Sequence, residues 1–298
     1  AAKPRMAYIA GVKMDLAQWC SLFLALGVAG CTSMKPGAVR STGGTKPAVI
    51  NDRAIIGQMT REATRMMDSD EPVSMESLIE QLKKEPRVSL KLPAGKGAPA
   101  ADAQKAIAVV GGVYKCKSCT RWHVAPASGF LIAEDMVVTN YHVVNQPERS
   151  SLAVRLFDGR VFMVEAVVAA SERFDLAVLR IPKTGVKPVA LGQAAPVGAK
   201  VDLISHPNQR FYTLTEGRIA RYFMMERDRK QVSAMSITAD FGRGSSGGPV
   251  FNETGEVVGI ATSTESLYYT EKDGEQKNLQ MVFKHCVPVS QLRELIGE

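Results

Sequence analysis

The stretch Gly242-Arg-Gly-Ser-Ser246-Gly-Gly-Pro-Val-Phe-Asn252 decides how the whole chain reads. Ser246 stands in it between Gly244 on one side and Gly247 and Gly248 on the other. Glycines let main chain approach a ligand closely. A serine hydroxyl is a weak nucleophile until an adjacent base takes its proton. On its own, Gly-Ser-Ser-Gly-Gly reads as a linker, so the weight falls on whether the rest of the chain supplies a base and a group to orient it.

Two segments upstream do so. Ser128-Gly-Phe-Leu-Ile-Ala-Glu-Asp-Met-Val-Val-Thr-Asn-Tyr-His142-Val-Val places a histidine just after the apolar run Val137-Val138-Thr139. An imidazole with a pKa near ~6.5 serves as a base at neutral pH. Phe174-Asp175-Leu-Ala-Val-Leu-Arg-Ile181 puts a carboxylate at the head of an alternating strand, Leu176, Val178, Arg180. A carboxylate there fixes the imidazole tautomer and stabilises the imidazolium. Alone, His142 would more often be a core or turn histidine, and Asp175 a turn residue at a strand end. Together with Ser246 they form a nucleophile, a base and an orienting group.

The surrounding grammar is that of an all-β chain. From about Ala106, short β-branched runs alternate with turn residues. Six runs fall near 107–114, 127–132, 136–139, 151–157, 160–170 and 176–181. Asp158-Gly159 between two of them is a hairpin signal. Pro182 to Lys200 reads as a crossover. Six more runs follow near 201–205, 210–222, 231–239, 249–251, 256–263 and 279–285, then a short helix at about Ser290 to Ile296. This predicts two six-stranded antiparallel β-barrels side by side with a short C-terminal helix. His142 and Asp175 lie in the first half and Ser246 in the second, so the three would meet across the cleft, a natural place for chemistry.

These three segments resemble the trypsin-like serine endopeptidases of the chymotrypsin fold. The form Thr139-Asn140-Tyr141-His142-Val143-Val144 is most similar to the bacterial HtrA-like branch. The resemblance covers about Ala106 to Glu298. It implies peptide-bond hydrolysis through an acyl-enzyme, with His142, Asp175 and Ser246 catalytic and no metal or organic cofactor. It implies an oxyanion hole from the N–H groups of Gly244 and Ser246. It places Asp240 at the base of the primary specificity pocket, where an acid selects Arg or Lys, although Arg243 is close enough in sequence to neutralise it. It puts Thr262, Ser263 and Thr264 on the strand that pairs with substrate backbone, a sequence-tolerant mode suited to exposed or unfolded exported polypeptides. Ser245 stands where the digestive enzymes carry the acid that binds their new N-terminus, so that activation device has no partner here. The competing reading is an inactive protease-fold lipoprotein whose cleft binds peptides or envelope ligands.

The N-terminal third reads differently. Leu16 to Ala29 is an apolar run too short to span a membrane. Lys3, Arg5 and Lys13 precede it, as in a secretory signal. Val28-Ala29-Gly30-Cys31 resembles the bacterial lipobox, which implies a signal peptide over 1–30, lipid on Cys31 and attachment to a membrane of the bacterial envelope, facing periplasm or exterior. Residues 31–104 read as a proline-rich tether carrying two short helices, and 105–298 as the protease domain. Ile55, Ile56, Met59, Ala63, Met66 and Met67 form one helical stripe, and Met75, Leu78, Ile79 and Leu82 another, with Ser74 as N-cap and Pro86 as stop. The helices are read as a loosely packed stalk, a shielding pro-segment or an oligomerisation element.

Composition adds mainly exclusions. Hydrophobic residues at 45% and charged residues at 22% rule out a disordered or collagen-like chain. A net charge of +7 is mild and does not argue for nucleic acid. Five cysteines are too few for a disulfide scaffold. Cys116-Lys-Ser-Cys119, beside Trp122 and His123, leaves three options open: a local disulfide, a zinc site completed by His285-Cys286, or free thiols. His206, before Pro207, marks a turn without a catalytic role.

Overall fold

Each half of the β region curls into its own antiparallel sheet. The computed structural model describes residues 49–92, 97–116, 118–227, 229–272 and 275–298. The signal expected at 1–30 and the lipidation site expected at Cys31 lie outside the described residues. Val49–Glu298 form one compact unit.

The elements in chain order begin with helices α1 (Asp52–Ser69), α2 (Met75–Lys83) and the short α3 (Ala100–Ala103). The first sheet follows: β1 (Ile107–Lys115), β2 (Trp122–Ala133), β3 (Met136–Thr139), the helical turn α4 (Tyr141–Val144), β4 (Ser151–Leu156), β5 (Val161–Met163), β6 (Ala166–Ser171) and β7 (Leu176–Arg180). The second comprises β8 (Ala190–Leu191), β9 (Lys200–Ser205), β10 (Thr213–Arg227), β11 (Lys230–Ile237), β12 (Pro249–Phe251), β13 (Glu256–Lys272) and β14 (Glu275–Pro288), closed by helix α5 (Val289–Ile296).

The first sheet has the order β5-β4-β1-β2-β3-β7-β6 and the second β12-β9-β10-β11-β14-β13-β8. An added β12–β13 pairing closes the second into a barrel of six, with β8 outside it in parallel contact with β13. This is the chymotrypsin-like architecture read from the sequence, with one strand more per sheet. The run at 160–170 breaks into β5 and β6, and the crossover contributes β8. Asp158-Gly159 makes its hairpin, with Gly159 at φ +96°, a conformation that suits a residue without a side chain.

Helix α1 starts at Asn51, whose Oδ1 accepts the Ala54 N–H at 3.0 Å. Helix α2 starts at Ser74, whose hydroxyl accepts the Ser77 N–H at 3.2 Å. These caps satisfy main-chain donors that no helical carbonyl can reach. The α2 stripe, with Met59 and Ala63 of α1, is buried in the same apolar cluster as β1, β3 and β7, and Ile55, Ile56 and Met67 pack half-buried against it; Met59, Leu78 and Leu82 are fully enclosed. The α2 side also makes polar seams. Met75 N–H donates to Ser150 O at 2.8 Å, and Gln81 Oε1 accepts the Val167 N–H at 2.9 Å. The helices are part of the wall of the first sheet, not a loosely held stalk. Among the described residues no helix is long and apolar enough to cross a membrane.

Candidate active site

The three segments converge where the two sheets meet. Strand β3 ends at Thr139, and the chain turns at once into α4, which carries His142. A four-residue turn packed through Tyr141, Val143 and Val144 leaves His142 outward and fixed in direction. Asp175 precedes β7 at φ +55°, a left-handed conformation that is unusual for a residue with a side chain. Its carbonyl accepts the Asn140 side-chain amide at 2.8 Å, so the two loops are tied together.

Both Asp175 carboxylate oxygens lie 3.0 Å from His142 Nδ1, and Oδ1 also accepts the His142 main-chain N–H at 3.1 Å. His142 Nε2 lies 3.0 Å from Ser246 Oγ. Thr262 donates its hydroxyl to the other carboxylate oxygen of Asp175, and its carbonyl lies 3.2 Å from Ser246 Oγ. The Asp175 carboxylate is therefore gripped by three donors and buried, while the imidazole keeps an open face.

The Ser246 loop is pinned from behind. Ser128 N–H donates to Ser246 O at 2.9 Å. Ser128 Oγ donates to Gly244 O at 2.9 Å and accepts the His206 N–H at 3.0 Å. Ser245, fully buried, sits 3.0 Å hydroxyl to hydroxyl from Ser205. Gly244 has φ +94°, and a Cβ there would lie 2.6 Å from the His206 carbonyl oxygen, so that position needs glycine. Among the described residues neither the Gly244 nor the Ser246 N–H is taken by another group of the protein. Two unoccupied donors beside a serine hydroxyl could receive an oxyanion.

The remaining expectations divide. Thr262 is a bulge residue between the Ala261 and Ser263 register positions, and its side chain turns toward Asp175. Ser263 and Thr264 are exposed on β13, whose other edge pairs with β12 and β8 only over Glu256–Ile260. Asp240 needs a correction. It does not close a narrow pocket: its side chain is 84% exposed and paired with Lys284 Nζ at 2.7 Å. The neutralising cation comes from β14 rather than from Arg243.

Cys116, Cys119 and Cys286 are free thiols. His285 and Cys286 do not approach the Cys116–Cys119 turn. His285 lies between Ser236 and Glu265, and Cys286 is buried with its thiol pushed above the usual range by that burial. His123 takes the third place instead, 3.0 Å from Cys119 Sγ, while Cys116 Sγ lies 2.7 Å from Cys119 Sγ. Hydrogen bonding from Cys119, then Ser118, lowers the Cys116 pKa to about 6. Among the described residues this is the group able to hold a metal ion, its ligand atoms lying within 4.8 Å of one another.

Residues 127–260 match the family model described as the trypsin-like peptidase domain. That stretch is similar to the trypsin-like peptidases. Over 150 residues it is 33% identical to a probable periplasmic serine endoprotease, DegP-like, of Hahella chejuensis, covering 49% of this chain and 30% of that protein. Over 142 residues it is 32% identical to the anti-sigma-I factor RsgI9 of Acetivibrio thermocellus, covering 46% and 19%. The chain thus spans less than a third of the length of these curated relatives. Two solved structures share the fold of this trypsin-like domain. The HtrA-type protease AlgW with decapeptide gives a TM-score of 0.53 at 20% identity, covering 67% of each chain. The active form of the Rv3671c protease from M. tuberculosis gives 0.51 at 24%, covering 72% of this chain and 93% of that one.

Sequence reading did not reach the support of this site. Ser128, His206 and the hydroxyl of Thr262 act through contacts made across the fold. The signal for Ser128 was only its place at the head of the His142 segment. Thr262 reads in the sequence as a strand residue, and nothing local says that its hydroxyl turns inward.

Proposed function

We propose that the chain is a serine endopeptidase that cleaves extended polypeptide segments. The observation that carries this is the unbroken line from Ser246 Oγ to His142 Nε2 and from His142 Nδ1 to Asp175, both hydrogen bonds at 3.0 Å. In this reading His142 Nε2 takes the Ser246 proton as Oγ forms its bond to the scissile carbonyl carbon. The carbonyl π electrons move onto oxygen, which the Gly244 and Ser246 N–H groups receive. The intermediate collapses, the C–N bond breaks, and His142 returns the proton to the leaving amine. Water then attacks the acyl-enzyme by the same route with His142 again as base. Asp175 holds the tautomer and stabilises the imidazolium.

The free edge of β13 at Ser263 and Thr264 supports strand addition as the way substrate is held. The exposure of Asp240 and its pairing with Lys284 favour a pocket that does not select cationic side chains. The DegP-like relative, described as periplasmic, and the lipobox support a bacterial envelope location with lipid on Cys31. Labelled fatty acid should enter the wild-type protein and not Cys31→Ala; equal labelling of both would remove that part. For the enzyme, hydrolysis of an unfolded protein substrate should be lost in Ser246→Ala. Hydrolysis by that variant at the wild-type rate would overturn the reading.

A further inference from the structure

The digestive members of this fold hold their oxyanion loop with an acid beside the nucleophile, and this chain has Ser245 there. What replaces it is visible in the turn between β9 and β10. Asn208 N–H donates to the Arg243 carbonyl at 2.6 Å. In a trans peptide the carbonyl and the next N–H point opposite ways. Drawing the Arg243 carbonyl toward Asn208 therefore turns the Gly244 N–H away from the 206–212 turn and leaves it free. Rotation of that one peptide unit would present an acceptor where the developing oxyanion needs a donor.

The turn that makes this contact is not stable by itself. Asn208, Gln209 and Tyr212 stand at φ +46°, +62° and +57°. Non-glycine residues avoid this region, Tyr more than Asn. Such a turn persists only where its surroundings over-determine it. Two of its braces come from helix α1. Asp52 Oδ1 accepts the Phe211 N–H at 2.9 Å. Gln58 Oε1 accepts from the Arg155 guanidinium at 3.0 Å, and Arg155 in turn donates to the Tyr212 hydroxyl at 3.3 Å. A third brace is internal: the Tyr212 N–H donates to His206 Nδ1 at 3.0 Å, while His206 Nε2 bonds Ala108 O at 3.1 Å.

We infer that helix α1 is a built-in activating element: Asp52 fixes the 206–212 turn, and through Asn208 it holds the Arg243–Gly244 peptide with its N–H available to the oxyanion. This rests on the serine-endopeptidase reading of Ser246. Asp52 and Asn208 are positioning residues, since neither reaches the reacting atoms. Removal of α1 from its seat would leave the triad assembled and the hole unformed, which makes this contact a place where activity can be set from outside the peptidase domain.

The test uses the full chain and the variants Asp52→Ala and Asp52→Asn. The asparagine keeps an oxygen acceptor at the same place. Loss of one oxyanion donor costs ~10²–10³ in kcat, so a donor held less firmly should cost roughly tenfold to a hundredfold. Asp52→Ala should lose that much kcat on a peptide amide with KM within about twofold, and Asp52→Asn should stay within about threefold of wild type. A peptide boronic acid, which places an oxyanion in the hole, should bind Asp52→Ala at least tenfold more weakly. The corresponding peptide carboxylate product should bind both equally. If Asp52→Ala fails to fold, Asn208→Val and Asn208→Gly supply the comparison: valine disfavours the left-handed conformation and should lose kcat, and glycine should match or exceed wild type. Wild-type kcat and boronate affinity in Asp52→Ala would overturn the inference, as would a loss that Asp52→Asn does not restore. Failure of the underlying reading looks different, since the wild type itself would then not react at Ser246.

Discussion

Asp175 is held by donors from three directions: the His142 N–H, the His142 ring and the Thr262 hydroxyl. A carboxamide cannot accept from all of them, and its NH2 would face a ring nitrogen that must carry a proton. Asp175→Asn should therefore lower kcat by about 10⁴ through the wrong imidazole tautomer, the loss that the equivalent change gives in the best-studied triad. Substrate KM should hold, and steady-state kinetics on one peptide checks both. Asp240 is exposed and already paired with Lys284. Asp240→Asn should then leave the ratio of cleavage after Lys to cleavage after Val within about threefold, since an exposed carboxylate pair is worth roughly 1 kcal/mol or less. A collapse of cleavage after Lys would return Asp240 to the specificity pocket. His206 is fully buried, and burial lowers its pKa from 6.5 to about 4, with Arg155 the charged group facing it. Between those values the unfolded chain binds a proton that the folded one refuses. Stability is therefore complete above the unfolded value and falls as pH drops from 6.5 toward 4. The loss is on the order of 3 kcal/mol. Thermal unfolding across that range should show it, and His206→Gln should flatten the slope.

Among the elements, the strands that enclose a core were legible and those that leave it were not. β1, β3 and β7 are apolar runs with nearly every residue buried, and the sequence pattern finds them easily. β13 and β14 continue as a hairpin to Lys272 and from Glu275, well past the expected ends at 263 and 279. Their outer parts pair only with each other, through Tyr268, Thr270, Gln276 and Lys277, and carry no buried face to set an alternation. The helices α1 and α2 were legible as amphipathic stripes, but their seat was not. Leu82 is fully buried against the first sheet. Leu82→Ala should cost about 2–5 kcal/mol by leaving a cavity. That should lower Tm by roughly 5–15 °C. A change under about 1 °C, checked by calorimetry, would mean that the helices are a tether after all.

For the whole molecule, the candidate triad was readable because each member sits in its own local motif, and the two sheets bring His142, Asp175 and Ser246 together. What holds the site was unreadable because it joins residues far apart in the chain. Asp52 and Phe211 are 159 positions apart, and Ser128 and Gly244 are 116 apart. No local pattern marks either pair. The same holds for the cysteines: the turn that carries Cys116 and Cys119 finds its third partner in the nearby His123, while the His285-Cys286 pair is used inside the second sheet. The central claim is that this assembly activates Ser246. A fluorophosphonate probe followed by peptide mapping tests it most directly. One adduct on Ser246, absent from Ser246→Ala and from protein pre-treated with the peptide boronic acid, is the expected result. A folded wild-type protein that takes up no probe, or takes it up at another residue, would contradict the account.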